Sequence, residues 1–222
     1  MRPMRVAEVI STIQGETTRA GEPCVLVRLA GCNLACRWCD TRWARAGGSE
    51  ASVAEILSAV EAAGPGARLA CVTGGEPMVQ PETPGLLAAL LASGRAVQLM
   101  TNGSIPLDTV PAGVSKVVDA KTPWSQAPDA ADPGGPTLLA NLAALGPGDE
   151  VKVVVADRRD FEWALALAAD ARLPGRVRSV AVAPAWGLLD PATLAAWILA
   201  SRLPIRLNLQ LHKVVWGGET RK

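Results

Sequence analysis

Seven short apolar runs, at 24–30, 69–73, 97–101, 114–119, 151–156, 177–183 and 205–211, recur along the 222 residues, most of them followed by a helical stretch. Many of their residues are β-branched and most of the runs are largely apolar, the pattern of strands covered on both sides. Helical periodicity runs over 53–63, 83–93, 137–145, 161–171 and 191–201, the last opening on Pro191 with Asp190 as its N-cap. A chain that alternates in this way must lay its strands parallel and cross between them through helices. The expected fold is α/β, a partial (β/α) barrel of about six parallel strands, with residues 1–222 forming one domain. The Pro-, Gly- and Asp-rich stretch 122–135 interrupts the alternation without ending it, so it reads as an active-site loop rather than a domain boundary.

Charge adds exclusions. The formal net charge is +1 and charged residues make up 19% of the chain, so no basic patch argues for nucleic acid or a membrane surface. The longest apolar stretch, near Leu86 to Ala92, is too short to span a bilayer, and the first residues carry no apolar signal core. Neither nucleic acid nor membrane is an expected partner. Closely spaced free thiols suit a reducing compartment, so the expected location is the cytoplasm.

Those thiols carry the chemistry. Cys32, Cys36 and Cys39 fall within eight residues, with an aromatic, Trp38, just before the last. Three thiolates can hold three irons of a four-iron cluster and leave the fourth iron open to a small ligand, whereas ferredoxin-type clusters are normally ligated by protein throughout. Zinc wants four ligands, commonly in two spaced pairs, and the second pair is missing. It stays formally open, because Cys24, Cys71 or the one histidine, His212, could complete such a site. Cys24 and Cys71 lie in apolar runs and read as packed core thiols. The spacing of the three-cysteine loop resembles that of the radical S-adenosylmethionine (SAM) superfamily, which makes the expected barrel one of the radical SAM type.

Other notable residues follow the ends of the strands. The cysteine loop comes after the first run, Thr73, Gly74, Gly75, Glu76 and Pro77 at the second, Thr101, Asn102 and Gly103 at the third, and Asp119 to Lys121 at the fourth. Parallel α/β folds place their sites at that edge. The glycines would let a ligand approach the backbone, and Glu76 could accept from an amine.

Across most of its length the chain resembles the 7-carboxy-7-deazaguanine synthases, radical SAM enzymes of queuosine and deazapurine biosynthesis. The matching segments are Ser11 to Glu16, Val27 to Leu29, Gly31 to Asn33, Trp38 to Thr41, Thr73 to Pro77, Thr101 to Gly103, Asp119 to Pro123 and Leu209 to Lys213. The resemblance implies a four-iron, four-sulfur cluster on Cys32, Cys36 and Cys39. It implies SAM bound by Trp38, Cys39, Asp40, Gly75, Asp119, Ala120 and Lys121. The implied substrate, 6-carboxy-5,6,7,8-tetrahydropterin, would contact Ile13, Gln14, Gly15, Arg28, Thr73 and His212, with Arg28 suited to pairing its carboxylate in two-point fashion. Thr41 would offer its hydroxyl to a magnesium ion that bridges to the substrate. The implied reaction is a radical ring contraction, begun by reductive cleavage of SAM and ending with loss of ammonia. An electron donor such as flavodoxin and a homodimer are implied partners.

The pattern around His212 leaves two readings. If the last run is a strand, Asn208, Gln210 and His212 share a polar face that points either into the site or to solvent; the resemblance favours the site. Thr41 could likewise cap the turn after the cysteine loop instead of holding magnesium. Around Ala183 to Trp186, where some members of the family carry a polar, acidic segment, the residues are apolar, and Trp216 to Lys222 extend beyond the point where the family's chain often ends, so neither segment is assigned. Two other functions fit the cysteine loop: an activase that makes a glycyl radical on a partner protein, and a zinc-binding module without catalysis.

Overall fold

The fold is seen in a computed structural model that describes residues 2–126, 133 and 135–217. The stretch expected as a loop at 122–135 is therefore described only in part, and residues 218–222 lie outside the described ones. The described residues contain one sheet of nine strands, in the order β3-β1-β2-β4-β5-β6-β7-β8-β9. Its strands are β1 (Met4–Ile13), β2 (Pro23–Leu29), β3 (Ser49–Ala51), β4 (Leu69–Gly74), β5 (Ala96–Thr101), β6 (Ser115–Ala120), β7 (Glu150–Val155), β8 (Ser179–Pro184) and β9 (Arg206–Leu207). From β2 onward the neighbours in this order run parallel, while β1 pairs antiparallel with β2 and β3. Six full parallel strands and the two-residue β9 make an open, partly closed barrel, as the alternation predicts.

The helices follow the expected stretches closely. They are α1 (Val53–Ala63), α2 (Thr83–Ala92), α3 (Pro136–Ala144), α4 (Arg158–Asp170) and α5 (Pro191–Ser201), with a short α6 (Leu211–Trp216) at the end. Their starts are chemically marked. Ser52 and Glu55 form a reciprocal capping box on α1, and the side chains of Asp157 and Asp190 accept from the third amide of α4 and α5. The helices pack outside the sheet and bury its outer face. Leu86, Leu87, Leu90, Leu138, Leu142 and Phe161 form one core with Val25, Val27, Val72, Leu99, Val118 and Val153 from the strands. The inner face is left to line a cavity.

Two segments differ from the expectation. β1 is a ten-residue strand where no strand is expected, and it carries β-branched Val6, Val9, Ile10, Thr12 and Ile13. The run 205–211 is a strand only at Arg206–Leu207, and His212 sits on α6 instead. The alternation of Leu207, Leu209 and Leu211 is genuine, but the ladder stops. Asn208 turns its carbonyl oxygen to the Thr17 amide (2.9 Å) and Gln210 donates to Glu16 (2.8 Å), so both are taken up by the loop after β1.

Candidate active site

One cavity of about 520 Å³ opens at the C-terminal edge of the parallel strands, lined by Cys32, Cys36, Cys39, Arg28, Thr73, Asp119, Lys152 and His212 among others. The strand register explains the arrangement. Arg28 pairs with Thr73 across β2 and β4, and Asp119 with Lys152 across β6 and β7, which puts each pair side by side on the inner face.

The cysteine loop leaves β2 through Gly31, whose φ of 97° suits only a residue without a side chain. Gly31 donates to Ala44 O and accepts from Glu76 N, at 2.9 and 2.8 Å. On its far side the loop is held by the segment after β6. Arg37 N donates to Ser125 O at 2.7 Å, Ala35 N to Gln126 Oε1 at 3.1 Å, and Gln126 Nε2 to Cys36 Sγ at 3.1 Å. All three loop thiols are half-buried and unbridged. Burial pushes the Cys32 thiol above its ordinary value, so a metal binding there would have to displace its proton.

Among the described residues no three His, Cys, Asp or Glu side chains converge as they would on a single ion. Tetrahedral zinc at 2.3 Å from sulfur would need thiolates about 3.8 Å apart. A cluster takes one thiolate per iron and tolerates the wider spread. Cys24 and Cys71 are buried with Leu69 in a separate apolar group, where burial lifts them to about 11 and about 12. They are core thiols, as expected.

Charge in the cavity is matched. Lys152 Nζ lies 2.5 Å from Glu16 Oε2 and 2.9 Å from Asp119 Oδ2, Lys121 Nζ lies 2.7 Å from the same Asp119 oxygen, and Lys213 Nζ lies 2.7 Å from Asp40. Burial alone would raise Asp119, but Lys121 and Lys152 hold it below its ordinary value; Lys213 does the same for Asp40. Asp119 Oδ1 is buried with no hydrogen-bond partner. A buried acceptor left open on a cavity wall is a place for a ligand's hydroxyl or amine. With the thiol loop at the rim and Trp38, Asp40 and Lys121 on the same walls, the residues present fit an iron–sulfur cluster with SAM. Ala120 is fully buried beneath them and does not line the cavity.

The expected substrate residues divide. Ile13, Gly15, Arg28, Thr73 and His212 line the cavity. Arg28 is held by Glu8 through Nε at 2.7 Å and stacks over Trp43 at 5.6 Å. Gln14 also borders the cavity but spends its groups on the protein. Its amide nitrogen donates to Cys71 Sγ and Gln98, its Oε1 accepts from Glu16 N, and its backbone pairs with Gly21 and Glu22. It shapes the loop after β1.

One expectation is corrected. Glu76 is fully buried and does not face the cavity: it accepts from Thr101 Oγ1, Asn102 N and Met78 N, tying the end of β4 to the end of β5. Gly74 and Gly75 line the cavity, as expected, and also serve packing. A Cβ on Gly75 would lie 2.2 Å from Gly31 O and 2.7 Å from Cys32 Cβ, so the glycine admits the cysteine loop itself. Thr41 precedes the one-turn helix Arg42–Arg45 without capping it, and its hydroxyl stays on the cavity, 3.8 Å from Cys39 Sγ.

Sequence reading gave Lys152, Glu16, Gln210 and Lys213 no role. Lys152 had a signal: a lysine between Val151 and Val153 in an otherwise apolar strand must find an anion or face a cavity.

A parallel sheet with helices outside, a three-thiol loop after its first parallel strand and a polar cavity at the strand ends define a radical SAM enzyme. Residues 26–120 match the family model of the Radical SAM superfamily. A 7-carboxy-7-deazaguanine synthase of Koribacter versatilis is 39% identical, with 98% of this chain and 99% of the relative covered. One of Chlorobaculum tepidum is also 39% identical, over 99% of this chain and 97% of the relative. The chain belongs to the 7-carboxy-7-deazaguanine synthase family. QueE from Escherichia coli shares the fold, with a TM-score of 0.70, 24% identity and 93% of each chain covered. Streptococcus suis SuiB is more distant in fold, with a TM-score of 0.57 and 12% identity over 82% of this chain and 47% of that one.

Proposed function

We propose that this chain converts 6-carboxy-5,6,7,8-tetrahydropterin to 7-carboxy-7-deazaguanine, a carbon–nitrogen lyase reaction that contracts the pterin ring and releases ammonia. The observation that carries the reading is the shared cavity, in which Arg28 and Thr73 face the same space as Cys32, Cys36, Cys39 and Asp119. A cluster held by the three cysteines, with SAM beside it, would supply the radical chemistry. The protein's own residues bind, orient and exclude water. Glu8 and Trp43 hold the Arg28 guanidinium in a fixed plane, ready for a carboxylate. The open Asp119 Oδ1 would take a SAM hydroxyl or amine, and Asp40, fixed by Lys213, would sit beside the last cysteine. His212 and the backbone of Ile13 and Gly15 would close over the pterin.

Thr41 would give its uncapped hydroxyl to magnesium. That ion takes oxygen ligands and keeps several from water or substrate, so one protein hydroxyl suffices. The same reading takes the whole chain as one domain acting in the cytoplasm, working as a homodimer and reduced by a carrier such as flavodoxin. The test is anaerobic turnover of the tetrahydropterin with SAM and a reductant, with and without magnesium, read by mass spectrometry. The expected result is magnesium-stimulated 7-carboxy-7-deazaguanine with one ammonia per product. SAM cleavage that ignores the pterin would instead favour an activase of a partner protein.

A further inference from the structure

Lys152 is the only charged residue among the interior positions of β7, in a run where Val151, Val153 and Val155 all join the core. A buried ammonium is costly unless anions surround it. Here two carboxylates do so, and they come from different elements of the fold. Glu16, at 2.5 Å, belongs to the loop that follows Ile13 at the end of β1 and also carries Gly15. Asp119, at 2.9 Å, ends β6 beside the segment that grips the cysteine loop.

The remaining contacts show what that bridge does. Glu16 is tethered at both oxygens, Oε2 by Lys152 and Oε1 by Gln210 at 2.8 Å, so its carboxylate is held on two sides. Asp119 is tethered at Oδ2 only, by Lys152 and Lys121, which leaves Oδ1 buried without a hydrogen-bond partner. Without Lys152 the two carboxylates would keep only Gln210 and Lys121 respectively and would lose the ammonium that links them. One side chain thus sets the orientation of an acid on the pterin side and an acid on the SAM side.

We propose that Lys152 is a positioning residue that couples the pterin subsite to the SAM subsite through Glu16 and Asp119. The inference rests on the functional reading above. It predicts that the two ligands respond together to changes at one buried lysine. In the reconstituted holoenzyme, dissociation constants for SAM and for the tetrahydropterin are measured separately by equilibrium binding, together with the 5′-deoxyadenosine released per product. Lys152→Met is expected to weaken both ligands by about tenfold, within the usual range of coupling between sites. It should also raise the ratio of 5′-deoxyadenosine to product above that of the wild type, which a general loss of folded protein would not do. Lys152→Arg, which keeps the cation, should recover most of both affinities.

A folded Lys152→Met that weakens only one ligand, or neither, overturns the proposal. If that variant does not fold, Glu16→Gln decides, because Glu16 reaches Asp119 only through Lys152: its SAM affinity should fall along with its pterin affinity, and an unchanged SAM affinity overturns the coupling. A wild-type protein that binds SAM but not the pterin overturns the functional reading instead, and is recognised before any variant is compared.

Discussion

At the scale of single residues, several polar groups that a ligand site would use are spent on the protein instead. Glu76 shows this most plainly. Burial pushes its carboxyl above the ordinary value, while the amides of Asn102 and Met78 and the Thr101 hydroxyl pull the other way. Three donors aimed at one carboxylate leave no acceptor idle, and the pair of strand ends it joins carries the cysteine loop on one side. In Glu76→Gln one oxygen becomes an NH2 that meets a donor whichever way the amide is turned. The expected cost is about 1–3 kcal/mol, since a buried donor loses its partner. For a chain of this size that lowers the melting temperature by about 2–4 °C per kcal/mol. Calorimetry of the two proteins with matched iron content reads it directly, and an unchanged melting temperature would show that Glu76 is not holding the strand ends together.

At the scale of elements, α6 is where sequence and structure part most instructively. The five outer helices and the parallel strands are legible because each carries its own signal: apolar periodicity, a capping Ser52, Asp157 or Asp190, and β-branched cores. The cysteine loop is legible because spacing is chemistry. β1 is missed although its β-branched residues are visible, because it is half-covered on both faces and shows neither a clean alternation nor a fully apolar run. α6 is misread because its reason for being a helix lies some 200 positions away in sequence: Gly15 O accepts from Leu211 N at 2.7 Å and stops the strand. Lys152 is overlooked because its partners Glu16 and Asp119 meet it only through register. The docking of α6 is steric as well. A Cβ on Gly15 would lie 2.0 Å from His212 Nδ1 and 3.0 Å from its Cβ, so the ring and its stem both stand in the way. Gly15→Ala is expected to push α6 outward and raise the pterin dissociation constant about tenfold or more, a loss of at least ~1.4 kcal/mol. Gly146→Ala, where a Cβ meets nothing within 4 Å, is the matched control and should bind as the wild type does. Equal affinities in the two variants would detach α6 from the pterin site.

The same contact makes a pH prediction for that element. Burial holds His212 below its ordinary value, against the raising effects of Glu16 and Asp40 and with the lowering effects of Lys213 and Lys152. A base whose folded value is depressed binds fewer protons when folded, so the stability it contributes is present above the unfolded value of about 6.5 and is lost as pH falls through the window below it. Hydrogen exchange of the Leu211–Trp216 amides should therefore quicken as pH drops below about 6.5, once the intrinsic rate is divided out. His212→Gln should flatten that dependence. A protection factor that ignores pH across this range would mean that the ring keeps its place when charged.

At the scale of the whole molecule, the barrel is open in its strands but closed by a loop. The chain between β1 and β2 crosses the underside of the cavity and is fastened to strands that never pair with it. Gln98 on β5 donates to Thr17 Oγ1 at 3.4 Å, and Asn208 beyond β9 accepts from Thr17 N at 2.9 Å. Glu150 at the start of β7 takes both the amide and the hydroxyl of Thr18, at 2.9 and 2.7 Å. The rim is fastened differently, by the cysteine loop against Gln126 and the ends of β4 and β5. Floor and rim are thus separate fixtures of one sheet, and they should fail separately. Glu150→Ala removes the carboxylate that accepts from both the amide and the hydroxyl of half-buried Thr18 and is expected to lower stability by about 1–3 kcal/mol. It should loosen the floor on which Gly15 and Glu16 stand, weakening pterin binding, while the iron content after anaerobic reconstitution stays that of the wild type. Iron analysis and pterin binding on the same preparation decide it: if iron is lost in step with pterin affinity, floor and rim move as one, and the division of the cavity into a substrate floor and a cluster rim has to be given up.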